Sequence, residues 1–326
     1  MSRMYRRAEM KRRALLLTFA LSLPFAAGAS AAARPNPPRM GMFVRWAQEP
    51  DGTDRGGREA SLRAREQSLN VPPSSLVALD YFGVDSWAEM AKYNWIPAYW
   101  RQKNPARKLI WSIALTMKGT ALKEVASGAR DADFESAAKS IAASQPDAIT
   151  RIGWEMNGDW FPWAAGGVEA DYIGAYRRVV GIFRKASRRF TFAWCPGAGR
   201  LNSSPELAYP GDDVVDTIGL DIYDAPSAVA PAEAWNSSLA GPFGLLWLEN
   251  FATRHGKPMH IGEWGVGLKD APDNPYFVEK MSEWLRRHAG AIAFHVYFDA
   301  PPSELDSGKF PKSRERFMKL FSGAAR

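Results

Sequence analysis

Two glutamates in this sequence each follow an apolar, strand-like run, and each has tryptophan close by. Glu155 lies in residues 151–163, which read Arg-Ile-Gly-Trp-Glu-Met-Asn-Gly-Asp-Trp-Phe-Pro-Trp. Glu263 lies in residues 257–265, which read Lys-Pro-Met-His-Ile-Gly-Glu-Trp-Gly. One carboxylic acid can protonate a leaving oxygen while a second carboxylate acts as nucleophile, which is the pair that retaining glycosidases use. The two runs therefore predict cleavage of a glycosidic bond.

The residues around Glu155 suit a sugar ligand. Side chains alternate along a strand, so Arg151 is predicted to point to the same side as Glu155, where it could fix a carboxylate. Asn157 could bond a sugar hydroxyl or simply shape its loop. Trp160 and Trp163 lie in that loop, and their flat indole rings are predicted to stack on sugar rings rather than to fill the core.

Two less specific interpretations compete with this one. A glutamate at a strand end is often part of a structural ion pair, although the presence of two such motifs favours catalysis. A metal centre is the other competitor, since the chain has four histidines. His260 and Glu263 are expected on opposite faces of a strand, which is poor for joint ligation. No metal and no cofactor are therefore predicted.

The sequence resembles glycoside hydrolase family 26, a family of retaining glycosidases built on a (β/α)8 barrel. The residues that carry the resemblance are Arg151, Glu155, Asn157, Gly158, Trp160 and Trp163, the run Asp221-Ile222-Tyr223, and the run Gly262-Glu263-Trp264-Gly265. The resemblance implies that Glu155 is the acid/base and Glu263 the nucleophile, with Tyr223 bonded to Glu263. It also implies substrate-binding roles for Arg151, Trp154, Asn157, Trp160, Trp163, Asp221, Tyr223 and Trp264.

Trp154 departs from the family pattern. Many members carry histidine immediately before the acid/base, whereas this chain has tryptophan at that position. Simple alternation places Trp154 on the strand face opposite to Glu155, although a residue at a strand end can still reach the pocket. Because the change lies near the sugar being cleaved, it makes mannan, the best-known substrate of the family, an uncertain substrate here.

Strand-like and helix-like segments alternate along the chain, which is typical of a parallel α/β sheet. The predicted strands are Met40–Trp46, Leu76–Phe82, Lys108–Thr116, Ala148–Glu155, Phe190–Cys195, Thr217–Tyr223, Pro258–Trp264 and Ile292–Phe298. The predicted helices are Ala60–Leu69, Trp87–Gln102, Phe134–Ser144, Ala170–Ser187, Ala234–His255, Pro275–His288 and Ser313–Phe321. Eight strands in about 290 residues predict a single (β/α)8 TIM barrel over residues 34–326, with a doubly wound sheet as the alternative.

Active-site residues of such barrels lie where the strands end. Glu155, Asp221, Tyr223 and Glu263 are all predicted at carboxyl ends of strands, so the strand assignment and the chemistry agree. The connection Gly197–Asp213 shows no long helical pattern and is the weakest of the alternating units.

The first 33 residues are predicted to be an export signal outside the folded domain. A basic start precedes an apolar stretch that is too short to span a bilayer, and small residues around Ala31 and Ala33 suit cleavage. This region holds six basic residues and one acid, so the remaining 36 basic and 34 acidic residues leave a net charge of +2 in place of +7. Nothing in that balance indicates a nucleic-acid partner.

Cys195 is the only cysteine of the chain, so no intrachain disulfide can form. It lies in a strand-like run with no histidine near it in sequence, which favours a small buried residue over a catalytic thiol. An exported, disulfide-free chain fits the periplasm or the medium, and a monomer without stable membrane insertion is expected.

The sequence as a whole predicts an exported, retaining endo-type glycoside hydrolase acting on a β-linked polysaccharide. Mannan-, xylan-, glucan- and exopolysaccharide-like substrates remain open, as do the linkage and endo or exo action. Two alternatives use the same cleft: a non-catalytic polysaccharide-binding barrel in exopolysaccharide export, and a transglycosylase with a sugar acceptor.

Overall fold

The computed structural model contains a closed barrel of eight parallel strands. Each strand pairs with the next one in sequence, and β8 pairs with β1. The strands are β1 Arg39–Phe43, β2 Leu76–Asp80, β3 Lys108–Ile113, β4 Ile149–Ile152, β5 Thr191–Trp194, β6 Thr217–Tyr223, β7 Met259–Gly265 and β8 Ile292–Tyr297. All eight lie where the sequence predicted strands. Closure of the barrel confirms the (β/α)8 prediction and rules out the doubly wound sheet.

The structure describes residues 38–43, 57–73, 76–80, 86–92, 94–224, 229–268 and 271–322. These residues belong to one compact unit, Pro35–Arg326. The predicted export signal, residues 1–33, lies outside the described residues. No helix within these ranges is both long and apolar enough to cross a membrane.

The helices of the described ranges follow the predicted ones with three differences, the first of which is a short helix, Leu122–Ser127, that the sequence pattern did not predict. They are α1 Gly57–Ser68, α2 Trp87–Lys92, α3 Ile96–Lys103, α4 Leu122–Ser127, α5 Asp131–Ser144, α6 Glu169–Ala186, α7 Pro231–Ala240, α8 Leu245–Arg254, α9 Pro275–Arg287 and α10 Pro311–Phe321. The predicted helix 87–102 is two helices, the second with Pro97 in its first turn. The predicted helix 234–255 is also two, because Gly241 and Pro242 end α7, and proline cannot continue a helix.

Two apolar cores lie on the two sides of the strands. The inner core holds residues of the strands and of the segment after β8, among them Leu76, Ile110 and Phe294. The outer core holds the alternate strand residues together with the apolar faces of the helices. Since successive side chains of a strand point to opposite faces, strands β1 to β5 and β8 contribute to both cores. The barrel interior is thus filled by side chains below the site.

A β-bulge at Gly262 redirects the end of β7. Leu220 of β6 pairs with Ile261 of β7, and the next residue, Asp221, pairs with Glu263. Gly262 is therefore the extra residue on β7. Strict alternation from the interior residue His260 would turn Glu263 outward, and the bulge turns it back into the barrel. A Cβ at Gly262 would lie 2.6 Å from both Asp221 Oδ1 and Cys195 Sγ, so glycine is required there.

The bulge also corrects one sequence prediction. His260 and Glu263 were expected on opposite faces, yet both side chains lie in the barrel. The His260 ring stacks on Phe294 at 4.7 Å, and a Cβ on Gly219 would lie 2.0 Å from His260 Nε2. Burial lowers the pKa of His260 to about 3, so the ring is neutral. His260 is therefore a barrel-filling residue beneath the site.

Gly262→Ala should lower the free energy of unfolding by about 1–3 kcal/mol, because the new methyl group overlaps Asp221 and Cys195. Gly181→Ala is the matched control, since Gly181 lies in α6 with open space around the added methyl group. That control should stabilise the protein by roughly 0.5–1 kcal/mol. Urea unfolding measures both changes. A Gly262→Ala protein as stable as wild type would contradict the bulge geometry.

Candidate active site

Three carboxylates meet at the carboxyl ends of the strands. Glu155 follows β4, Asp221 lies near the end of β6, and Glu263 lies in β7 beyond the bulge. One oxygen from each lies within 4.8 Å of the others. Asp221 and Glu263 are buried, whereas Glu155 is partly exposed. The two glutamates singled out by the sequence therefore face each other across a small space.

Arg151 is the cation that holds two of these carboxylates. Its Nη1 donates to both oxygens of Asp221 at 2.8 and 2.7 Å, its Nη2 donates to Glu263 Oε1, and its Nε donates to Ser112 Oγ at 3.1 Å. The side chain is only 2% exposed. Burial lowers the pKa of Arg151, but the carboxylates of Asp221 and Glu263 outweigh burial and raise that pKa well above its usual value. Arg151 thus links β4 to β6 and β7.

The carboxylate of Asp221 accepts hydrogen bonds from other protein groups. Besides Arg151, the Cys195 thiol donates to its Oδ1 at 3.1 Å. Burial raises the pKa of Asp221, and the Arg151 guanidinium acts in the opposite direction. Burial, followed by the charge of Asp221, also raises the pKa of Cys195 well above its usual value, so the cysteine is a neutral thiol. Cys195 is the small buried residue that the sequence predicted.

Tyr223 bonds directly to Glu263. Its hydroxyl donates to Glu263 Oε2 at 2.5 Å, while Arg151 bonds the other oxygen. Burial, followed by the charge of Glu263, raises the pKa of Tyr223 well above its usual value, so the phenol remains a donor. Both oxygens of the Glu263 carboxylate are therefore fixed in orientation.

Glu155 lies in a turn rather than on a strand. The strand predicted to reach Glu155 ends at Ile152, because Gly153 and Glu155 adopt left-handed backbone angles, with φ of 53° and 51°. Such a φ is uncommon for a residue other than glycine and clusters at functional sites. The Glu155 amide donates to Cys195 O at 2.8 Å, and Gly158 N donates to Glu155 O at 3.0 Å. These bonds hold the strained turn in place.

Trp160 is the exposed aromatic residue beside Glu155. Its Nε1 donates to Glu155 Oε2 at 2.8 Å, and half of its surface, 50%, is exposed. The ring lies flat on Gly158, where a Cβ would be 2.5 Å from the indole. One face of Trp160 therefore remains open next to the acid.

Trp154 and Trp163 are core residues instead. Trp163 is fully buried, stacks on Phe161 at 4.4 Å and donates its Nε1 to Trp154 O at 2.6 Å. Trp154 packs against Trp163 and lies 5.2 Å below the Arg151 guanidinium. The expectation that Trp163 stacks on a sugar is corrected: its ring has no open face. Trp154 reaches the site through its contact with Arg151.

Trp264 and Asn157 are also buried and form hydrogen bonds with other groups of the protein. Trp264 is buried on the helix side of β7, where its Nε1 donates to His295 Nδ1 at 3.1 Å. Asn157 is buried, and its amide group accepts from Gly197 N at 2.9 Å and donates to Gly197 O at 2.8 Å. Of the two interpretations left open for Asn157, the contacts favour the shaping of its loop. Trp264 does not line the cleft, because alternation past the bulge turns it outward.

Asp224 is a buried carboxylate next to Tyr223 that the sequence analysis did not single out. It follows β6 directly, is 4% exposed, and its Oδ1 accepts from Asn274 Nδ2 at 3.1 Å. Burial raises the pKa of Asp224 to about 6. A carboxylate placed immediately after a strand end, one residue beyond Tyr223, was the signal that could have identified it.

Among the residues that the structure describes, the three clustered carboxylates are the group that could hold a metal ion. Arg151 already places a positive charge against two of them, and Tyr223 and Trp160 donate to the remaining oxygens named above. A metal ion bound there would be repelled by the positive charge of Arg151 at short distance. We therefore keep the prediction of a metal-free site.

Known proteins are similar to this chain in part of its sequence and in its fold. The sequence model for glycosyl hydrolase family 26 matches residues 130–257, which include Glu155, Asp221 and Tyr223 but end before Glu263. A mannan endo-1,4-beta-mannosidase of Bifidobacterium adolescentis is 33% identical over 117 residues, or 34% of this chain and 11% of that protein. Endoglucanase H of Acetivibrio thermocellus is 31% identical over 125 residues, or 35% of this chain and 14% of that protein.

The alignments thus span about a tenth to a seventh of the length of these relatives. Among solved structures, a double mutant of the Cellulomonas fimi endo-beta-1,4-mannanase superimposes with a TM-score of 0.63 at 19% identity, covering 89% of this chain and 72% of that one. The catalytic domain of a Bacillus endo-beta-1,4-mannanase superimposes with a TM-score of 0.59 at 18% identity. This match covers 88% of this chain and 86% of that one. These likenesses show the barrel fold. The family match shows that residues 130–257, less than half of the chain, are similar to glycosyl hydrolase family 26.

Proposed function

We propose that this protein is a retaining, endo-acting glycoside hydrolase that cleaves a β-linked polysaccharide. The observation that carries the proposal is the placement of Glu155 and Glu263, whose nearest oxygens lie within 4.8 Å and whose partners fix Glu263 from both sides. A separation of ~5–5.5 Å between the two carboxyl groups permits direct attack, whereas inversion needs room for water at ~6.5–9.5 Å. The short spacing supports retention.

In the first step a Glu263 oxygen attacks the anomeric carbon. Glu155 gives its proton to the glycosidic oxygen as the bond to the leaving sugar breaks, which leaves a glycosyl ester on Glu263. In the second step Glu155 takes a proton from water, the water oxygen attacks the anomeric carbon, and the ester bond breaks. Both carboxyl groups then return to their starting forms.

The other residues serve this pair in different ways. Arg151 and Tyr223 orient the Glu263 carboxylate, and Asp221 positions Arg151. Trp160, open on one face and bonded to Glu155, is suited to stack on the sugar that receives the proton. Because Arg151, Asp221, Trp154 and Asn157 are buried, we assign them to positioning rather than to direct sugar contact.

The proposed substrate class follows from the names of the two relatives and from the identity of Trp154. The two relatives are named as a mannan endo-1,4-beta-mannosidase and an endoglucanase. Trp154 stands where many family members carry histidine, so mannan is not assumed. We propose a β-linked polysaccharide as substrate. From the signal-like sequence of residues 1–33 we also propose export to the periplasm or the medium, and we expect a monomer.

The direct test is a screen of purified protein against mannan, xylan, mixed-linkage glucan and bacterial exopolysaccharides, with new reducing ends as the readout. On a substrate that wild type cleaves, Glu263→Ala should lower kcat by more than about 10⁴-fold, because the nucleophile is lost. Sodium azide should restore part of the turnover and yield a glycosyl azide of inverted configuration. Glu135→Ala, at a partly exposed position of α5, is the control and should keep wild-type kcat.

Several outcomes would contradict parts of this assignment. Glu263→Ala with wild-type activity would remove the nucleophile role. Binding of a polysaccharide without any release of reducing ends would favour the non-catalytic barrel, and products longer than the substrate would favour transglycosylation. EDTA should leave the activity unchanged, and a loss restored by added metal would revive the metal interpretation.

Glu155→Ala should discriminate between leaving groups. Cleavage of phenyl glycosides and of the polysaccharide should fall by about 10²–10⁴-fold, because a poor leaving group needs the proton. Dinitrophenyl glycosides need little proton donation, so their cleavage should fall far less. The measurement is kcat/KM across an aryl glycoside series. Equal losses for every leaving group would take the acid role away from Glu155.

Tyr223→Phe should lower kcat by roughly 10-fold to 100-fold, since a hydrogen bond to a charged group is lost at the attacking carboxylate. The loss should appear in the glycosylation step, measured as the pre-steady-state release of dinitrophenol. Tyr209→Phe removes a hydroxyl that bonds Asp212 on the exposed surface, and it should change neither rate nor far-UV circular dichroism. A Tyr223→Phe enzyme with wild-type turnover would show that the bond to Glu263 is dispensable.

A further inference from the structure

Cys195 lies where the two halves of the site meet. Its carbonyl oxygen accepts from the Glu155 amide at 2.8 Å, and its thiol donates to Asp221 Oδ1 at 3.1 Å. One end of the residue therefore contacts the turn that carries the acid, and the other end contacts the carboxylate that binds Arg151. The side chain is fully buried, and neither step of the proposed reaction uses it.

The backbone after Cys195 is bonded to the backbone of Asp221 on both sides. Pro196 O accepts from the Asp221 amide at 2.9 Å, and the Ala198 amide donates to Asp221 O at 2.9 Å. These two bonds hold the main chain of Asp221 beside residues 195–198. The position of the thiol relative to the Asp221 carboxylate is therefore fixed by the pairing of the two strand ends.

The bonds from Arg151 leave one motion of the Asp221 carboxylate that the thiol opposes. Arg151 holds both carboxylate oxygens through a single nitrogen, Nη1, at 2.8 and 2.7 Å. An arginine that used two parallel N–H groups, one for each oxygen, would fix the plane of the carboxylate. With one nitrogen, the carboxylate can turn about the axis through Nη1 while both bonds persist. The thiol lies against one oxygen, Oδ1, and restrains this turn.

The orientation of Asp221 reaches the nucleophile through Arg151. The Nη2 atom of the same guanidinium donates to Glu263 Oε1, and the guanidinium is rigid and planar. A turn of the Asp221 carboxylate would therefore tilt the guanidinium and move its bond to Glu263. Gly262 leaves the room for this arrangement, because a Cβ there would lie 2.6 Å from both Cys195 Sγ and Asp221 Oδ1.

The thiol can donate at this position because it stays neutral. Burial, followed by the charge of Asp221, raises the pKa of Cys195 well above its usual value. Arg151 Nη1 lies 3.9 Å from the sulfur and donates toward it, so the sulfur accepts from Arg151 while its proton is directed at Asp221. A neutral S–H group is a weak donor, but its acceptor here is a buried carboxylate.

We infer that Cys195 is a positioning residue for the proposed cleavage: its thiol orients the Asp221 carboxylate and, through Arg151, the nucleophile Glu263. The inference rests on the proposed function, since the group that is finally positioned acts only in that reaction. It gives the thiol a role as a hydrogen-bond donor, which a small apolar side chain could not fill.

Two substitutions separate a donor from a small core residue. Cys195→Ala removes the donor and should lower kcat about 5-fold to 20-fold with KM within about twofold of wild type, because a hydrogen bond to a charged group is lost. Cys195→Ser keeps a donor and should retain at least about half of the wild-type kcat. A purely apolar role predicts the reverse order, since a buried hydroxyl is costlier than a methyl group. A Cys195→Ala protein as fast as Cys195→Ser would overturn the inference.

Ser313→Ala is the control for a general loss of stability. It removes another buried group that donates to an aspartate, because Ser313 Oγ bonds Asp273 Oδ1 in the first turn of α10. Urea unfolding should show a lower midpoint for this variant, while kcat stays at the wild-type value. A fall in kcat equal to that of Cys195→Ala would attribute the effect to stability and overturn the inference.

A double-mutant cycle tests whether the thiol acts through Asp221. The double variant Cys195→Ala/Asp221→Asn should have a kcat/KM within about twofold of Asp221→Asn alone, because the group that the thiol positions is already changed. Independent effects would multiply and would overturn the inference. The loss from Cys195→Ala should also be equal for phenyl and dinitrophenyl glycosides. A larger loss for phenyl glycosides would mean that the Glu155 turn is disturbed instead.

The last experiment does not depend on activity. Cys195 is the only cysteine of the chain, so the S–H stretching band of the infrared spectrum reports this thiol alone. Asp221→Asn replaces the carboxylate by a weaker acceptor, and the band should move to higher frequency. Asp224→Asn, the same change at another buried aspartate of this region, should leave the band in place. An unchanged band in Asp221→Asn would overturn the inference.

These experiments separate failure of the positioning role from failure of the proposed function. If wild-type protein cleaves no glycoside but Asp221→Asn moves the S–H band, hydrolysis is wrong and the bond that orients Asp221 stands. If wild-type protein cleaves a polysaccharide and Cys195→Ala keeps wild-type kcat, the positioning role is wrong and hydrolysis stands.

Discussion

A single buried cation, Arg151, organises the negative charges of this barrel. Two carboxylates, Asp221 and Glu263, depend on it, and both lie where water cannot screen them. Breaking a buried pair by removal of one partner leaves an uncompensated charge, which is strongly destabilising. Because the three residues come from β4, β6 and β7, their bonds tie distant strands together at the carboxyl end of the barrel. The position of Glu263, and with it the whole proposed chemistry, depends on this arrangement.

The site needs two departures from regular strand geometry. Glu155 adopts a left-handed φ of 51°, and Gly262 is inserted as a bulge opposite β6. Each feature aims one glutamate into the space between them, where regular strands would not. Backbone strain of this kind persists only when the surroundings hold it, and here Cys195 O and Gly158 N bond the turn of Glu155. The barrel therefore supplies rigidity, while its irregular strand ends supply the geometry.

Much of this was predictable from the sequence, because strand positions and the pairing of glutamates with strand ends follow from local pattern. The eight strands, the closed barrel and the proximity of Glu155, Glu263 and Tyr223 are examples. The pattern could not show the bulge, which depends on contacts of Gly262 with Asp221 and Cys195 across the barrel. It also could not separate Trp160 from Trp163, since tertiary packing alone decides which ring keeps an open face. The burial of Asp224 could not be predicted from local pattern either, because its partner, Asn274, is 50 residues away.

The central claim is that Glu263 attacks the sugar directly while Glu155 supplies the proton. The stereochemistry of the first product tests it, followed by proton NMR while the protein cleaves a β-1,4-linked hexasaccharide. Double displacement predicts that the β-anomer appears first and that the α-anomer accumulates only later, by mutarotation. Initial release of the α-anomer would mean single displacement by water, and would contradict the roles assigned to the two glutamates.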